Sequence, residues 1–252
     1  MKTSAAPART ATIWYLGHSG WAIQTGGHFL VFDYWRGDIL TEKFSMENNR
    51  FHPTGLKHEE VYVFVSHKHM DHYNPAILEW TLSSRPITYV FGWPAREIPN
   101  CICMRPRENQ RAGLLEITAI ASTDAGVGFV VSVDGLVILH GGDAAQWLTP
   151  FSFLFRREVD FLARRGMDFD MVFLAVATGQ GRRRDCITNG ALYAMAKLAP
   201  RVMFPMHAMG KEHHYAEFAR EAERRSLKTD VLCAAKPGDS FLYSREKDAG
   251  VR

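Results

Sequence analysis

The segment VYVFVSHKHMDH, residues 61–72, constrains this chain more than any other stretch. Its first five residues are β-branched or aromatic without interruption, the pattern of a strand buried on both faces. Directly behind it, His67, His69, Asp71 and His72 fall within six residues. Imidazole nitrogens and carboxylate oxygens are the usual donors to a divalent cation. On extended backbone His67 and His69 share a face, so both can address one ion. Asp71 and His72 come where the chain turns toward Asn74-Pro75, a helix start with Asn74 as N-cap and Pro75 at the first helical position. They suit a second ion nearby. The fold must therefore hold one buried strand whose far end opens into a ligand-rich loop.

The rest of the chain can supply such a scaffold. It has 252 residues, 46% of them hydrophobic and 23% charged, enough for one globular domain over 1–252 with residues 1–10 as a flexible tail. A formal net charge of +3, with no basic stripe interleaved with aromatics, argues against a nucleic-acid partner. Cys101, Cys103, Cys186 and Cys233 form no C-x-x-C pair, which argues against a zinc ribbon or a disulfide scaffold and suits a reducing compartment. The opening MKTSAAPARTAT lacks an apolar signal core, and no run is long and apolar enough to span a bilayer. The expectation is a soluble, cytoplasmic protein without membrane association.

Periodicity predicts strands at 12–16, 21–25, 28–34, 61–65, 87–91, 114–120, 126–133, 136–140, 171–176, 202–206 and 239–244. Gly26-Gly27 and Asp134-Gly135 mark hairpins. Residues 36–58 read as a loop, and AILEWTL continues the helix begun at Pro75. Further helices are expected at 151–165, at 188–198 with Thr188 or Asn189 as cap, and at 211–225. Strands followed by helix alternation in each half suggest two sheets packed between helices.

H-x-H-x-D-H after an apolar strand resembles the signature of the metallo-β-lactamase superfamily, and His67, His69, Asp71 and His72 fill it. LVILHGGD then places Asp143 where that family has its bridging aspartate, and VMFPMH places His207 where it has a late histidine. YLGHSGWAIQTGGHFLVFD is similar to the first hairpin of the ascorbate-6-phosphate lactonase-like branch. The resemblance implies an α+β fold, a four-layer αββα sandwich of two mainly antiparallel sheets, with metals at one edge between them. It also implies two divalent ions, zinc first, held by His67, His69, Asp71, His72, Asp143 and His207. The family has one more histidine before the bridging aspartate, but no histidine stands between His72 and His140. Asp124, in ASTDAG, is the strong ligand in that stretch and is expected to replace it; the alternative is a turn residue. An added carboxylate would move preference toward manganese or iron.

The resemblance implies hydrolysis by a metal-bound hydroxide, with Asp71 orienting it. His18, in GHSG, is expected to face substrate or support the site, and His140 to orient Asp143 or a ligand histidine. Arg182 and Arg183, in a loop GRRRD after the strand at 171–176, could hold an anionic substrate, and Trp147 could wall the pocket. Trp35 and Trp93 are further loop aromatics. His28, His52, His58, His213 and His214 are assigned to solvated surface. A small anionic ester, lactone or phosphoester, is the preferred small-molecule substrate. A nuclease or phosphodiesterase, a di-iron redox protein and a protein-binding scaffold are the competing readings, and a homo-oligomer stays open.

Overall fold

The structure is a computed structural model that describes residues 9–35, 60–80, 87–95, 97–98, 101–176 and 181–245. The first strands are β1 (Thr10–Gly17), β2 (Gly20–Gln24), β3 (His28–Phe32), β4 (Glu60–Val65), β5 (Thr88–Phe91) and β6 (Cys101–Cys103). A second set comprises β7 (Asn109–Ala112), β8 (Leu115–Ala121), β9 (Val127–Val133), β10 (Leu136–His140), β11 (Met171–Ala175), β12 (Val202–Met206) and β13 (Asp230–Val231). The last strand, β14 (Ser240–Ser244), returns to the first set. Two seven-stranded sheets result, ordered β14-β1-β2-β3-β4-β5-β6 and β13-β12-β11-β10-β9-β8-β7. Helices α1 (Phe153–Arg164), α2 (Arg182–Leu198) and α3 (His213–Arg224) belong to the second half. This is the expected α+β sandwich, with one correction. The sheets are mixed rather than mainly antiparallel: each runs antiparallel through one half and parallel through the other.

Side-chain alternation builds the core. In β4, Tyr62 and Phe64 face the second sheet, while Val61, Val63 and Val65 join an outer cluster with Phe29, Val31 and Phe91. Between the sheets Trp21 packs 5.0 Å from Phe173 and 5.2 Å from Phe204, and Phe64 packs 5.3 Å from Phe129. β4 lies between two parallel neighbours, which is why it reads as an unbroken apolar run. The same alternation turns Ser66, the next residue of the inward row, toward the gap between the sheets.

Several expectations need amendment. Asn74 caps as expected, accepting the Ala76 N–H at 2.9 Å, but the helix it starts is a 3-10 turn, Pro75–Glu79. Helix α2 begins at Arg182, not at 188, so Thr188 and Asn189 lie inside it. The short strands β6, β7 and β13 carry too little apolar pattern to be read from sequence. Residues 1–8, the loop at 36–58 with His52 and His58, and the end of AILEWTL lie outside the described residues. No helix among the described residues is long and apolar enough to cross a membrane.

His28 is buried, not solvated. Its Nδ1 meets Asp134 Oδ2 at 2.9 Å, and the same carboxylate oxygen accepts from Thr25 Oγ1 at 2.5 Å and Gly27 N–H at 3.2 Å. Asp134 thus ties the β2–β3 hairpin of one sheet to the β9–β10 turn of the other. Partial burial pushes its carboxyl up, but these three donors outweigh that and hold it below the ordinary value. A depressed carboxyl stabilises the fold above its unfolded pKa, and the contribution is lost as pH falls through the folded value. Asp134→Asn is therefore expected to destabilise the protein at pH 7 by on the order of 1 kcal/mol. In thermal unfolding followed against pH, the gap from wild type should close below about pH 4.

Candidate metal centre

The loops that leave β3, β4, β10 and β12 meet at one end of the sandwich and bring most of the sequence-named residues together. Two groups of donor atoms form there, each with its atoms within 4.8 Å of one another. One comprises His18, Asp71, His72 and His207; the other comprises His67, His69, Asp124 and Asp143. Asp143 links them. Its Oδ1 lies 3.1 Å from His72 Nε2 and 3.2 Å from His207 Nε2, while its Oδ2 lies 3.5 Å from His67 Nε2. Each carboxylate oxygen thus faces a different group.

A residue absent from the sequence reading fixes the imidazoles. Asp33, fully buried just beyond β3, receives the Ser66 N–H at 2.7 Å on Oδ1 and the Ser66 hydroxyl at 2.8 Å on Oδ2. His72 Nδ1 lies 2.7 Å from Oδ2. A carboxylate only accepts, so His72 must donate from Nδ1, and Nε2 is aimed at Asp143. Because the Ser66 hydroxyl proton goes to Asp33, Ser66 Oγ is free to accept from His67 Nδ1, 2.9 Å away. His67 Nε2 is thereby turned to the site as well. One carboxylate sets two rings, one directly and one through serine.

Close backbone approach holds this end in register. A Cβ on Gly126, which has φ +67°, would lie 1.9 Å from Ser66 O, and one on Gly92 would lie 2.1 Å from it. Only glycine lets both loops close over Ser66.

His18 enters the first group, but its tautomer argues against coordination. Its Nδ1 accepts the Met209 N–H at 3.2 Å, so the neutral ring carries its proton on Nε2 and donates to Asp71 Oδ2 at 3.1 Å. His18 therefore orients Asp71. Burial lowers the His18 pKa, which keeps the ring neutral. His207 has φ +71° and gives its N–H to His18 O at 2.9 Å. The next amide, on Ala208, donates to Tyr215 Oη at 3.1 Å, so the turn that presents His207 is pinned at successive amides.

His140 acts on Asp143 through the main chain. It is fully buried, its Nδ1 accepts the Gly142 N–H at 3.3 Å and its Nε2 donates to Ser19 O at 2.9 Å. Both nitrogens are engaged by main chain, so His140 shapes the turn that carries Asp143 and does not meet a substrate. The arginines need correction: Arg182 and Arg183 stand exposed in the first turn of α2, not in a loop. Arg183 lies over the Trp147 ring at 5.9 Å, and that ring lies 5.9 Å from His207. Trp147 Nε1 donates to Asp143 O at 3.1 Å, which fixes the indole at the rim. Trp35 packs edge-on against His18, whereas Trp93 packs on Phe91 and Tyr73. His214 is half-buried against Arg184 rather than solvated.

The electrostatics suit cations. Burial pushes the Asp143 carboxyl up, but the facing His207 and His72 rings hold it well below the usual range. The hydrogen bond from His18 lowers Asp71. Burial lowers His72, yet the Asp33 and Asp143 carboxylates more than reverse this and push it up to about 10. That anionic field stabilises positive charge at Nε2, and a divalent cation meets the same demand while displacing the proton. His72 Nε2 and Asp143 Oδ1 are buried and make no hydrogen bond among the described residues, so a cation between them would satisfy both. The donors of the first group other than His18, together with Asp143, thus fit a divalent ion. The second group is more open: the side chains of His69 and Asp124 are 55% and 50% exposed, with 3.6 Å between His69 Nδ1 and Asp124 Oδ2. Asp124 also takes part in a turn, where its N–H donates to Ser122 Oγ at 3.2 Å.

If Asp33 sets the ring tautomers, Asp33→Asn should weaken divalent-metal affinity by about 10–100-fold, because its amide turns a donor toward donors. Competition against a chromogenic chelator measures this. Affinity equal to wild type would mean that the rings are set by other contacts.

A β-lactamase superfamily domain model matches residues 12–207. Solved structures share the fold at low identity. A metallo hydrolase from the hyperthermophilic archaeon Ignicoccus hospitalis is 19% identical with a TM-score of 0.66, over 93% of this chain and 99% of the other. An isothiocyanate hydrolase from Delia radicum gut bacteria is 14% identical with a TM-score of 0.59, over 92% and 99%. A di-iron β-hydroxylase from Streptomyces venezuelae is 14% identical with a TM-score of 0.63, over 96% of this chain but 55% of the larger one. No curated protein matches the chain in sequence. With the match running from β1 to His207 and enclosing every donor of both groups, the chain belongs to the metallo-β-lactamase superfamily.

Proposed function

We propose that this protein is a metal-dependent hydrolase of a small anionic ester, a lactone or a phosphoester. The observation that carries the reading is the Asp143 carboxylate, whose two oxygens face two separate His/Asp groups. His72, His207, Asp71 and Asp143 would hold one ion, and His67, His69, Asp124 and Asp143 a second. Two such ions supply Lewis acidity and lower the pKa of a bound water toward neutrality. Their mixed nitrogen and oxygen donors admit zinc, with manganese or iron favoured if Asp124 coordinates.

The chain's own groups divide the remaining work. Asp71 is kept ionised by the His18 hydrogen bond, so its carboxylate can accept a hydrogen bond from water entering the site and orient it. His18 holds that carboxylate in place, 3.1 Å away. Trp147 excludes water along the His207 side. Arg183, stacked over Trp147, presents a guanidinium to an anionic substituent, and no carboxylate among the described residues pairs with it. The likeness of the opening hairpin YLGHSGWAIQTGGHFLVFD supports a place near the ascorbate-6-phosphate lactonase-like branch, and four free cysteines support a cytoplasmic location.

On this reading Asp71→Asn lowers kcat by about 10²–10⁴ in a metal-loaded enzyme that remains folded. Arg183→Ala instead raises KM for an anionic ester about tenfold and leaves a neutral ester of the same shape unaffected. Steady-state kinetics on a matched panel of lactones and phosphoesters separates the two effects. Full activity in Asp71→Asn would exclude this chemistry, and an equal Arg183→Ala effect on the neutral ester would exclude the anionic substrate.

A further inference from the structure

The function above leaves Cys101 and Cys103 unused. They stand at either end of β6, which pairs with β5 on one side and forms the edge of its sheet. Being two apart on a strand, they project from the same face, and their Sγ atoms lie 3.5 Å apart. The two sulfurs are not equivalent. Cys103 is exposed and its Sγ accepts the Ala95 N–H at 3.2 Å. Cys101 is half-buried and its S–H donates to Ile98 O at 3.3 Å. The first arrangement leaves a sulfur open to solvent and accepting a hydrogen bond; the second keeps a hydrogen-bonded S–H beside it. Cys186 lies on α2 and Cys233 follows β13, and both are free.

We propose that Cys101 and Cys103 form a peroxide-sensitive dithiol that closes reversibly to an intrachain disulfide. The Cys103 thiolate attacks one oxygen of a hydroperoxide. The O–O bond breaks, the expelled oxygen takes a proton, and Cys103 becomes a sulfenic acid. Cys101 then attacks that sulfur as its proton leaves. The S–S bond forms and the hydroxyl departs with that proton as water. In sum, two thiols lose two electrons and two protons, and hydrogen peroxide becomes two waters. Closure brings the sulfurs from 3.5 Å to about 2.05 Å. A three-residue edge strand, hydrogen-bonded on one side, can pucker to allow it. The short loop keeps the bond strained and easily reduced by thiols. Burial pushes the Cys101 thiol up to about 11, with Cys103 adding to the effect, in keeping with its part as the resolving partner.

The test uses the protein as purified, treated with one equivalent of hydrogen peroxide, alkylated and digested with trypsin. Both cysteines fall in one peptide, between Arg96 and Arg107. The expected result is that peptide 2 Da lighter and unalkylated, restored by dithiothreitol, with Cys186 and Cys233 alkylated throughout. Cys101→Ser should leave Cys103 as a sulfenic acid trapped by dimedone, and Cys103→Ser should leave Cys101 alkylated. Full alkylation of both cysteines after peroxide would overturn the proposal. So would oxidation of Cys103 to a sulfinic acid with Cys101 still alkylated, or a disulfide between chains.

Discussion

The buried carboxylate of Asp33 organises the metal end of this sandwich. It accepts from Ser66 N–H, Ser66 Oγ and His72 Nδ1 within 2.8 Å, and through Ser66 it also sets His67. A buried charge is costly unless its partners are in place, and these partners include His72 directly and His67 through Ser66, the rings whose other nitrogens face the donor groups. Folding the end of β4 and aiming the histidines are therefore one event. The carboxylate that stabilises the loop also fixes which ring nitrogen is free.

The sheet topology explains how distant segments converge. Strands β3 and β4 run parallel, as do β10, β11 and β12, so their C-terminal ends lie at the same edge. Ligand-bearing turns follow β4, β10 and β12, and Asp33 follows β3. The inward rows that build the core run on into the site: Ser66 continues Tyr62 and Phe64, and His140 ends the row that holds Leu136 and Ile138. The centre is thus the polar continuation of the apolar core. Its group around His72 is largely buried, whereas His69 and Asp124 face solvent.

Much of this was legible in sequence because the signals were local. The donors His67, His69, Asp71 and His72 are adjacent, and Asp143 and His207 each follow a clear apolar strand. Asp33 also follows one, in HFLVFD, but a single aspartate at a strand end has no spacing to distinguish it from a turn residue. Its partners are 33 and 39 residues away, so only the fold reveals them. His28 was misread for the same reason, since Asp134 lies 106 residues on. The start of α2 was lost because three arginines suggest a solvated loop and Thr188 and Asn189 resemble caps. Position within the helix, not the residues themselves, brings Arg183 over Trp147. The contacts of His18 and His140 depend on which ring nitrogen accepts a backbone amide, and sequence does not carry that.

The central claim is that Asp143 joins two ion positions. Elemental analysis of the protein as purified, beside Asp143→Ala prepared in parallel, addresses it most directly. The account predicts two divalent ions per chain in the wild type and fewer than one in a folded variant. One ion or none in the wild type, or two retained without the Asp143 carboxylate, would contradict it.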